Sequence, residues 1–199
     1  MPAPTIYYIR HGETQWNAEG RLQGVQDVPL NTVGRAQAER AGLILAELFA
    51  RDGRERSELS FVASPLGRAR TTMELVRGTL QLPPYDYAID ERLREIGYGR
   101  WEGSTLAEME VADPKLFAER QAAKWMVSPP GGESYVEVEQ RVTKWYAQVD
   151  TDTVAVAHGG TARALMVALG FETPQSAADL YIEQGVVYVF STGSLTKYG

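Results

Sequence analysis

Each of the two histidines in the chain, His11 and His158, comes after a run of strand-forming residues and directly before a glycine. β-Branched and aromatic residues fill the first run, 6–9, and small and β-branched residues fill the second, 153–157, so both runs are predicted to be buried strands. A glycine after a strand permits a sharp turn and a close approach by a ligand. Since ligands bind beyond the carboxyl ends of the strands in open α/β sheets, the pattern predicts one site containing both imidazoles.

The order of the remaining elements predicts an α/β fold. Strand-like and helix-like segments alternate along the chain, which is typical of a mainly parallel sheet with helices on both faces. Ser64 and Pro65 are predicted to start one helix, as N-cap and first-turn residue. The predicted strands are 6–9, 59–63, 83–89, 153–157 and a terminal hairpin of 186–190 with 195–198, and the predicted helices are 33–49, 65–80, 133–149 and 161–169.

A length of 199 residues is typical of a single domain, 1–199, and the segment around 95–132 has little strand character. We expect that segment to be a cap-like insertion over the edge of the sheet, with short helices interrupted at Asp113–Pro114. The absence of cysteine excludes disulfides, thiolate metal sites and cysteine nucleophiles. The N-terminus lacks the features of a signal peptide and no apolar run is long enough to span a membrane, so a cytoplasmic protein is expected.

The net charge of −6 argues against general binding to nucleic acid, which requires a basic face, but not against a small anionic substrate. A third predicted strand ends at Ser64-Pro65-Leu66-Gly67-Arg68. If the strands are parallel, Arg10, His11, Arg68 and His158 meet at one edge of the sheet. A metal site is the rival interpretation, but two histidines are too few for zinc and neighbouring arginines repel a cation. The combination favours an oxyanion, because guanidinium groups bind phosphoryl oxygens bidentately and a neutral imidazole can attack phosphorus.

A set of motifs spanning Ile6 to about Leu169 resembles the histidine phosphatase superfamily, which contains cofactor-dependent phosphoglycerate mutases and many phosphatases. The resemblance implies a phosphoglycerate mutase-like, three-layer α/β/α sandwich with a mainly parallel central sheet, and no metal or other cofactor. The motifs are Arg10-His11-Gly12-Glu13-Thr14, Asn17, Arg21, Ser64-Pro65-Leu66-Gly67-Arg68-Ala69, Leu93-Arg94-Glu95, Trp101-Glu102-Gly103, Gly132-Glu133-Ser134 and His158-Gly159-Gly160.

The resemblance assigns a role to each matching residue at the reacting centre. His11 corresponds to the nucleophile that becomes phosphohistidine, and Arg10, Arg68 and His158 correspond to residues that bind the phosphoryl oxygens. Glu95 corresponds to the acid that protonates the leaving oxygen and then helps to activate water. Without the resemblance, a solvated charge early in a helix is the favoured interpretation of Arg68.

Other residues are less specifically assigned. Asn17 and Arg21 correspond to loop residues that contact phosphate. Glu95 itself is selected by the resemblance alone, because Glu91 and Glu102 are nearby acidic residues that the pattern does not distinguish from it.

The sequence also departs from the mutases, which carry an arginine directly after the acid and an arginine pair after a tryptophan of the insertion. Here Ile96 follows Glu95, and Met126 and Val127 follow Trp125. A phosphoglycerate would lose charge-assisted hydrogen bonds, so the interpretation is a phosphomonoester phosphatase acting on a small phosphorylated metabolite. A phosphoglycerate mutase and a non-catalytic phospholigand-binding protein are the alternatives. The apolar residues Leu106, Met109, Phe117, Trp125 and Met126 of the insertion suggest a less charged leaving group.

Overall fold

The computed structural model of the protein describes residues 3–199 and contains one six-stranded sheet. The strand order is β3-β2-β4-β1-β5-β6, in which β1 to β4 are parallel and β5 and β6 are antiparallel to their neighbours. The predicted α/β architecture with a mainly parallel sheet is therefore confirmed, as is the terminal hairpin. The strands are β1 (Ile6–Arg10), β2 (Ser60–Ala63), β3 (Ala88–Ile89), β4 (Thr153–Ala157), β5 (Val187–Ser191) and β6 (Ser194–Tyr198).

Helices cover both faces of the sheet, and the alternation of side chains along β1 separates the two cores. Tyr7 and Ile9 pack in one core with apolar residues of the second and third helices, whereas Ile6 and Tyr8 pack in the other with the sixth and seventh. The helices are α1 (Gln15–Ala18), α2 (Thr32–Asp52), α3 (Gly67–Thr79), α4 (Leu106–Ala112), α5 (Pro114–Ala122), α6 (Tyr135–Tyr146), α7 (Gly159–Ala168) and α8 (Pro174–Ala177), with 3₁₀ turns at Arg56–Glu58, Glu91–Leu93 and Gly99–Trp101.

The carboxyl ends of β1, β2 and β4 lie at the same edge of the sheet. The parallel register pairs Arg10 with Ala157, and the backbone N–H of His11 continues the ladder by donating to the carbonyl of Ala157 at 2.9 Å. The N–H of Ser64 donates to the carbonyl of Val156 at 3.0 Å. The sheet therefore delivers the three polar motifs to one place.

The local predictions differ from the structure at several points. Ser64 is not a helix cap, since α3 begins at Gly67 with Leu66 as N-cap, and the carboxylate of Asp27 accepts from the N–H of Gly67 at 2.8 Å. The hydroxyl of Ser64 instead contacts His158. The polar, glycine-containing segment 15–24 predicts a loop, but its first four residues form the short helix α1. The sequence around α8 has no helical periodicity that would predict this short helix. Between 95 and 132 the chain forms a 3₁₀ turn and the paired helices α4 and α5, which separate at Asp113 as expected.

Candidate active site

The imidazole rings of His11 and His158 lie edge to face with their centroids 5.1 Å apart. They follow β1 and β4 directly, and both side chains are buried, at 2% and 0% exposure. Gly12 is needed here for close packing against α2, which the sequence alone does not show. A Cβ at Gly12 would lie 2.1 Å from the carbonyl oxygen of Gly34, so the constraint there is close packing against α2. The structure thus brings together the two histidines that the sequence pattern paired.

The hydrogen bonds of His11 indicate one tautomer. Its Nδ1 lies 2.7 Å from the carbonyl oxygen of Gly12, which can only accept, so Nδ1 carries the proton. Nε2 is then the acceptor, and the Nε–H of Arg68 donates to it at 3.3 Å. Burial, followed by the charges of Arg68 and Arg10, holds the pKa of His11 well below its ordinary value of 6.5. The ring is neutral at pH 7, with the Nε2 lone pair directed at the site.

His158 is held by its backbone and by Ser64. Its N–H donates to the hydroxyls of Tyr8 and Thr161, both at 3.0 Å, and Tyr8 donates back to the carbonyl of His158 at 2.7 Å. The ring Nε2 lies 2.6 Å from the Ser64 hydroxyl, while the buried Nδ1 has no partner among the described residues. Burial, then the charges of Arg68 and other neighbours, lowers the pKa of His158 well below 6.5. An unpaired imidazole nitrogen beside His11 is available to a ligand.

Two guanidinium groups border the histidine pair. Arg68 is 1% exposed and donates to the carbonyls of Gln26 and Gly24 at 2.5 and 2.7 Å. Arg68 is therefore no solvated charge. Arg10 donates to the carbonyl of Ile182 at 2.6 Å, and its buried Nε has no partner among the described residues. Burial lowers the pKa of both arginines, and the carboxylate of Glu95 opposes that effect on both. Charge complementary to an oxyanion is thus concentrated where the two imidazoles meet.

Glu95 lies at the N-terminus of α7, the helix that follows His158. Its Oε1 accepts hydrogen bonds from the backbone N–H groups of Gly160 and Ile96, both at 3.0 Å. A carboxylate at a helix N-terminus is stabilised by the partial positive charge there. The rival acids are placed elsewhere: Glu102 accepts from the backbone of Val25 and Tyr98 at 3.0 and 3.1 Å. The hydrogen bond to Gly160 joins Glu95 directly to the segment that carries His158.

The two predicted loop residues differ in their placement. Asn17 Oδ1 accepts from Thr14 and from the Nε2 of Gln184, which also donates to the carbonyl of His11 at 3.0 Å. Asn17 is thereby tied to the backbone of His11. Arg21 is instead paired with Glu108 of α4 at 2.7 Å, with its side chain 32% exposed. No contact in residues 3–199 joins Arg21 to either histidine.

A cavity of about 200 Å³ lies between the loop after α1 and the helices α4 and α5, and Tyr98 and Arg163 form part of its wall. Leu106, Met109 and Phe117 line it, in agreement with the apolar lining expected from the sequence. Trp125 and Met126 do not, because the Trp125 ring stacks on Tyr135 at 4.8 Å and Met126 is 67% exposed; both border a separate depression. Three cations, Arg120, Lys124 and Arg163, also line the cavity.

Sequence reasoning missed several residues that support the site. Ile182 and Gln184 hold Arg10 and Asn17 from an irregular segment before β5, and no motif or periodicity marks them. No group of three or more His, Asp or Glu residues within 3–199 is arranged to hold a metal ion. None of the helices over the same residues combines the length and apolar character that crossing a membrane requires.

Comparison with known proteins places this arrangement in context. A family model described as histidine phosphatase superfamily (branch 1) matches residues 6–194. Glucosyl-3-phosphoglycerate phosphatase of Mycolicibacterium vanbaalenii is 38% identical over 182 residues, which are 85% of this chain and 75% of the relative. The solved structure of a mycobacterial glucosyl-3-phosphoglycerate phosphatase with VO3 has a TM-score of 0.78 at 32% identity and covers 95% of this chain and 93% of that one.

Mutases are also similar to the chain. 2,3-Bisphosphoglycerate-dependent phosphoglycerate mutase 2 of Gloeobacter violaceus is 30% identical over 197 residues, which are 93% of this chain and 84% of the relative. The relatives therefore include enzymes that release phosphate and enzymes that move it between positions.

Proposed function

Since the chain belongs to the histidine phosphatase superfamily, we propose that it is a phosphomonoester phosphatase that passes a phosphoryl group from a small metabolite through His11 to water. Membership confirms the resemblance read from the motifs, and named phosphatases are among the relatives. The observation that carries the proposal is the state of His11. Its Nδ1–H is fixed on the Gly12 carbonyl, so the neutral ring presents Nε2 within a cluster of buried cations.

The first half-reaction transfers the phosphoryl group to the enzyme. Arg10, Arg68 and the Nδ1 of His158 bind the phosphoryl oxygens, whose charge grows in the transition state. The lone pair on Nε2 of His11 forms a bond to phosphorus as the bond to the ester oxygen breaks. Glu95, in its protonated form, gives its proton to the leaving oxygen, so the alcohol departs neutral.

The second half-reaction regenerates the enzyme. The carboxylate of Glu95 accepts a proton from water as the water oxygen bonds to phosphorus and the bond to His11 breaks. Inorganic phosphate leaves, and Glu95 is again protonated for the next turnover. Asn17 acts in both halves by contacting phosphate and by its link through Gln184 to the backbone of His11. Contact of Arg21 with phosphate stays a prediction that requires its pair with Glu108 to open.

Hydrolysis is favoured over mutase activity by the side chains around Glu95. Ile96 is fully buried and places no cation beside the acid, and Met126, where the mutases carry an arginine, is 67% exposed. An acceptor phosphoglycerate therefore lacks the cations that the mutases carry at these two positions, which favours transfer of the phosphoryl group to water. The cap-like role of 95–132 and a cytoplasmic location remain predictions from the sequence.

The test is phosphate release from a panel of phosphomonoesters that includes p-nitrophenyl phosphate, with a parallel mutase assay on 3-phosphoglycerate. Rapid quenching during turnover should trap a phosphoenzyme that is labile to acid and stable to base. It should be absent in His11→Ala but present in Glu91→Ala, a matched change at an exposed acid. A mutase rate that exceeds phosphate release, or a phosphoenzyme that survives in His11→Ala, would overturn the proposal.

A further inference from the structure

The cavity between the loop after α1 and the helices α4 and α5 is lined by an arginine with an unsatisfied donor. Arg120 on α5 is 6% exposed, and its Nη1 donates to the carbonyls of Lys124 and Val127 at 3.0 and 2.6 Å. Among residues 3–199, its buried Nη2 has no hydrogen-bond partner and no carboxylate lies within 4.0 Å of the group. The rings of Tyr98 and Tyr135 lie 5.8 and 6.0 Å from its Cζ.

Burying a guanidinium group among neutral partners is unfavourable in free energy. Desolvating a cation costs several kcal/mol, and carbonyls and aromatic faces recover a part of that. The other two cations of the cavity are better satisfied. Lys124 pairs with Asp179 at 2.6 Å, and Arg163 donates to the Leu180 carbonyl and the Tyr135 hydroxyl at 2.8 and 2.9 Å. An anion in the cavity would complete the coordination of Arg120 without displacing an existing ion pair.

The cavity is placed to receive the leaving group. Glu95, which faces the leaving oxygen in the proposed reaction, bonds to Gly160, and Arg163 of the cavity wall lies one turn further along α7 on the same side. Tyr98, also in the wall, follows Glu95 closely in the chain. On the opposite side, Gly20 and Leu22 belong to the loop that carries Asn17. The cavity therefore borders the segments that carry Glu95 and Asn17.

The remaining wall is apolar and aromatic. Leu106, Met109, Phe117 and Trp101 line it, and the last two rings lie 6.4 Å apart in an edge-to-face arrangement. Such a surface packs against carbon atoms of a substrate and excludes water, which strengthens a charge interaction at its base.

We propose that Arg120 is a specificity-determining residue that binds a carboxylate on the alcohol part of the substrate, so that the preferred substrates are phosphomonoesters of hydroxy acids. The proposal rests on the phosphatase function proposed above and names the substrate class of the same site. It differs from the expectation of a less charged leaving group, because the arginine that serves the carboxylate lies on α5 and not at the positions that follow Glu95 or Trp125.

The test compares 3-phosphoglycerate with glycerol 3-phosphate, which has a hydroxymethyl group in place of the carboxylate. The readout is the ratio of the two kcat/KM values for phosphate release, with p-nitrophenyl phosphate as the reference substrate. The wild-type ratio should be about tenfold or more in favour of the carboxylate. Arg120→Gln should lower it about tenfold, and Lys115→Gln, which removes an exposed cation from the same helix, should leave it unchanged.

Arg120 also holds two carbonyls, so Arg120→Lys is measured beside Arg120→Gln. Arg120→Lys keeps the charge but loses the guanidinium fork, and an intermediate ratio is expected. A wild-type enzyme that hydrolyses both alkyl phosphates equally would overturn the proposal even if no Arg120 variant folds. An unchanged ratio in a folded Arg120→Gln would do the same. Inactivity of the wild type toward all three substrates would instead contradict the phosphatase function.

Discussion

The backbone N–H of Gly160 donates to the carboxylate of Glu95 at 3.0 Å, across a gap that has no room for a side chain. A Cβ at position 160 would lie 2.3 Å from Oε1 of Glu95. Gly160, the second residue after His158, is thus required for the close approach of a protein carboxylate. This contact couples the start of α7 to the proposed proton donor.

Gly160→Ala is expected to displace Glu95 and to lower kcat for alkyl phosphates by about ten- to a hundredfold, because a misplaced acid cannot reach the leaving oxygen. Formation of the phosphoenzyme from aryl phosphates should be less affected, because their leaving groups need little protonation. The measurements are kcat for glycerol 3-phosphate and the burst rate with p-nitrophenyl phosphate in the same variant.

Gly78→Ala provides the matched control in another helix. Residue 78 is exposed on α3, and a Cβ there would meet no atom within 4 Å. The change should leave both rates unaltered and raise the free energy of unfolding by about 0.5–1 kcal/mol, since alanine is the better helix former. Equal losses on the two substrates in Gly160→Ala would indicate a general disturbance of the site.

Glu95→Gln tests the acid itself while preserving its size. The amide has no proton to give to an alkoxide, so kcat for alkyl phosphates should fall by about 10²- to 10⁴-fold, whereas hydrolysis of activated aryl phosphates should form the phosphoenzyme at a near-normal rate. Burst kinetics with p-nitrophenyl phosphate separate formation of the phosphoenzyme from its hydrolysis.

Hydrolysis of the phosphoenzyme should be slow in Glu95→Gln, because Glu95 also activates the attacking water. The burst should persist and the steady-state rate should decline, so that phosphoenzyme accumulates. Glu91→Gln, at an exposed acid nearby, should behave as wild type. If both phases slow to the same extent with the aryl substrate, the assignment of Glu95 as proton donor is wrong.

Gln184→Ala probes a residue that sequence reasoning missed. Its Nε2 links the carbonyl of His11 at 3.0 Å to Oδ1 of Asn17 at 3.2 Å, so its loss should loosen both groups. We expect kcat/KM to fall about tenfold for alkyl and aryl phosphates alike, since both depend on His11. Gln175→Ala, at an exposed glutamine, is the control. Wild-type kcat/KM in Gln184→Ala would show that Gln184 has no positioning role.

The positions of the two histidines could be predicted from the sequence, whereas the role of Ser64 could not. His11 and His158 follow buried five-residue strands, and a continuous apolar run bounded by polar residues and glycine indicates where such a strand ends. Parallel pairing then places the ends together, so the location of the site follows from local patterns. The arrangement of Ser64 shows the limit of that reasoning, because its position before a helix suggested a cap, whereas tertiary packing turns the hydroxyl to His158.

The roles of Gln184, in an irregular segment, and of Arg120, on α5, could not be predicted from the sequence. Gln184 and Arg120 belong to parts of the chain whose approach is set by the packing of the insertion and of the segment before β5. Glutamine and arginine occur both as buried ligand-binding groups and as solvated surface groups, so the residue type alone does not identify these two. Only the unpaired Nη2 of Arg120, a property of the folded chain, distinguishes it from Lys115 on the same helix.

The two buried histidines should make folding stability sensitive to mild acid. Each has a folded-state pKa well below 6.5, so between that value and the folded-state pKa the unfolded chain binds more protons. Their contribution is complete above about pH 6.5 and is lost as the pH falls below it. Each histidine should therefore remove about 1 kcal/mol from the free energy of unfolding between about pH 6.5 and 5.5.

Urea unfolding at the two pH values measures this loss, and variants assign it. His11→Gln and His158→Gln should each reduce the pH-dependent loss by about 1 kcal/mol, whatever their effect on stability at pH 7. The carboxylates with lowered pKa values, such as Asp90 and Glu133, titrate in a more acidic range and should not contribute here. A wild-type protein equally stable at both pH values would mean that the imidazoles are protonated as readily in the folded chain as in the unfolded one, and the neutral nucleophile at His11 would lose its support.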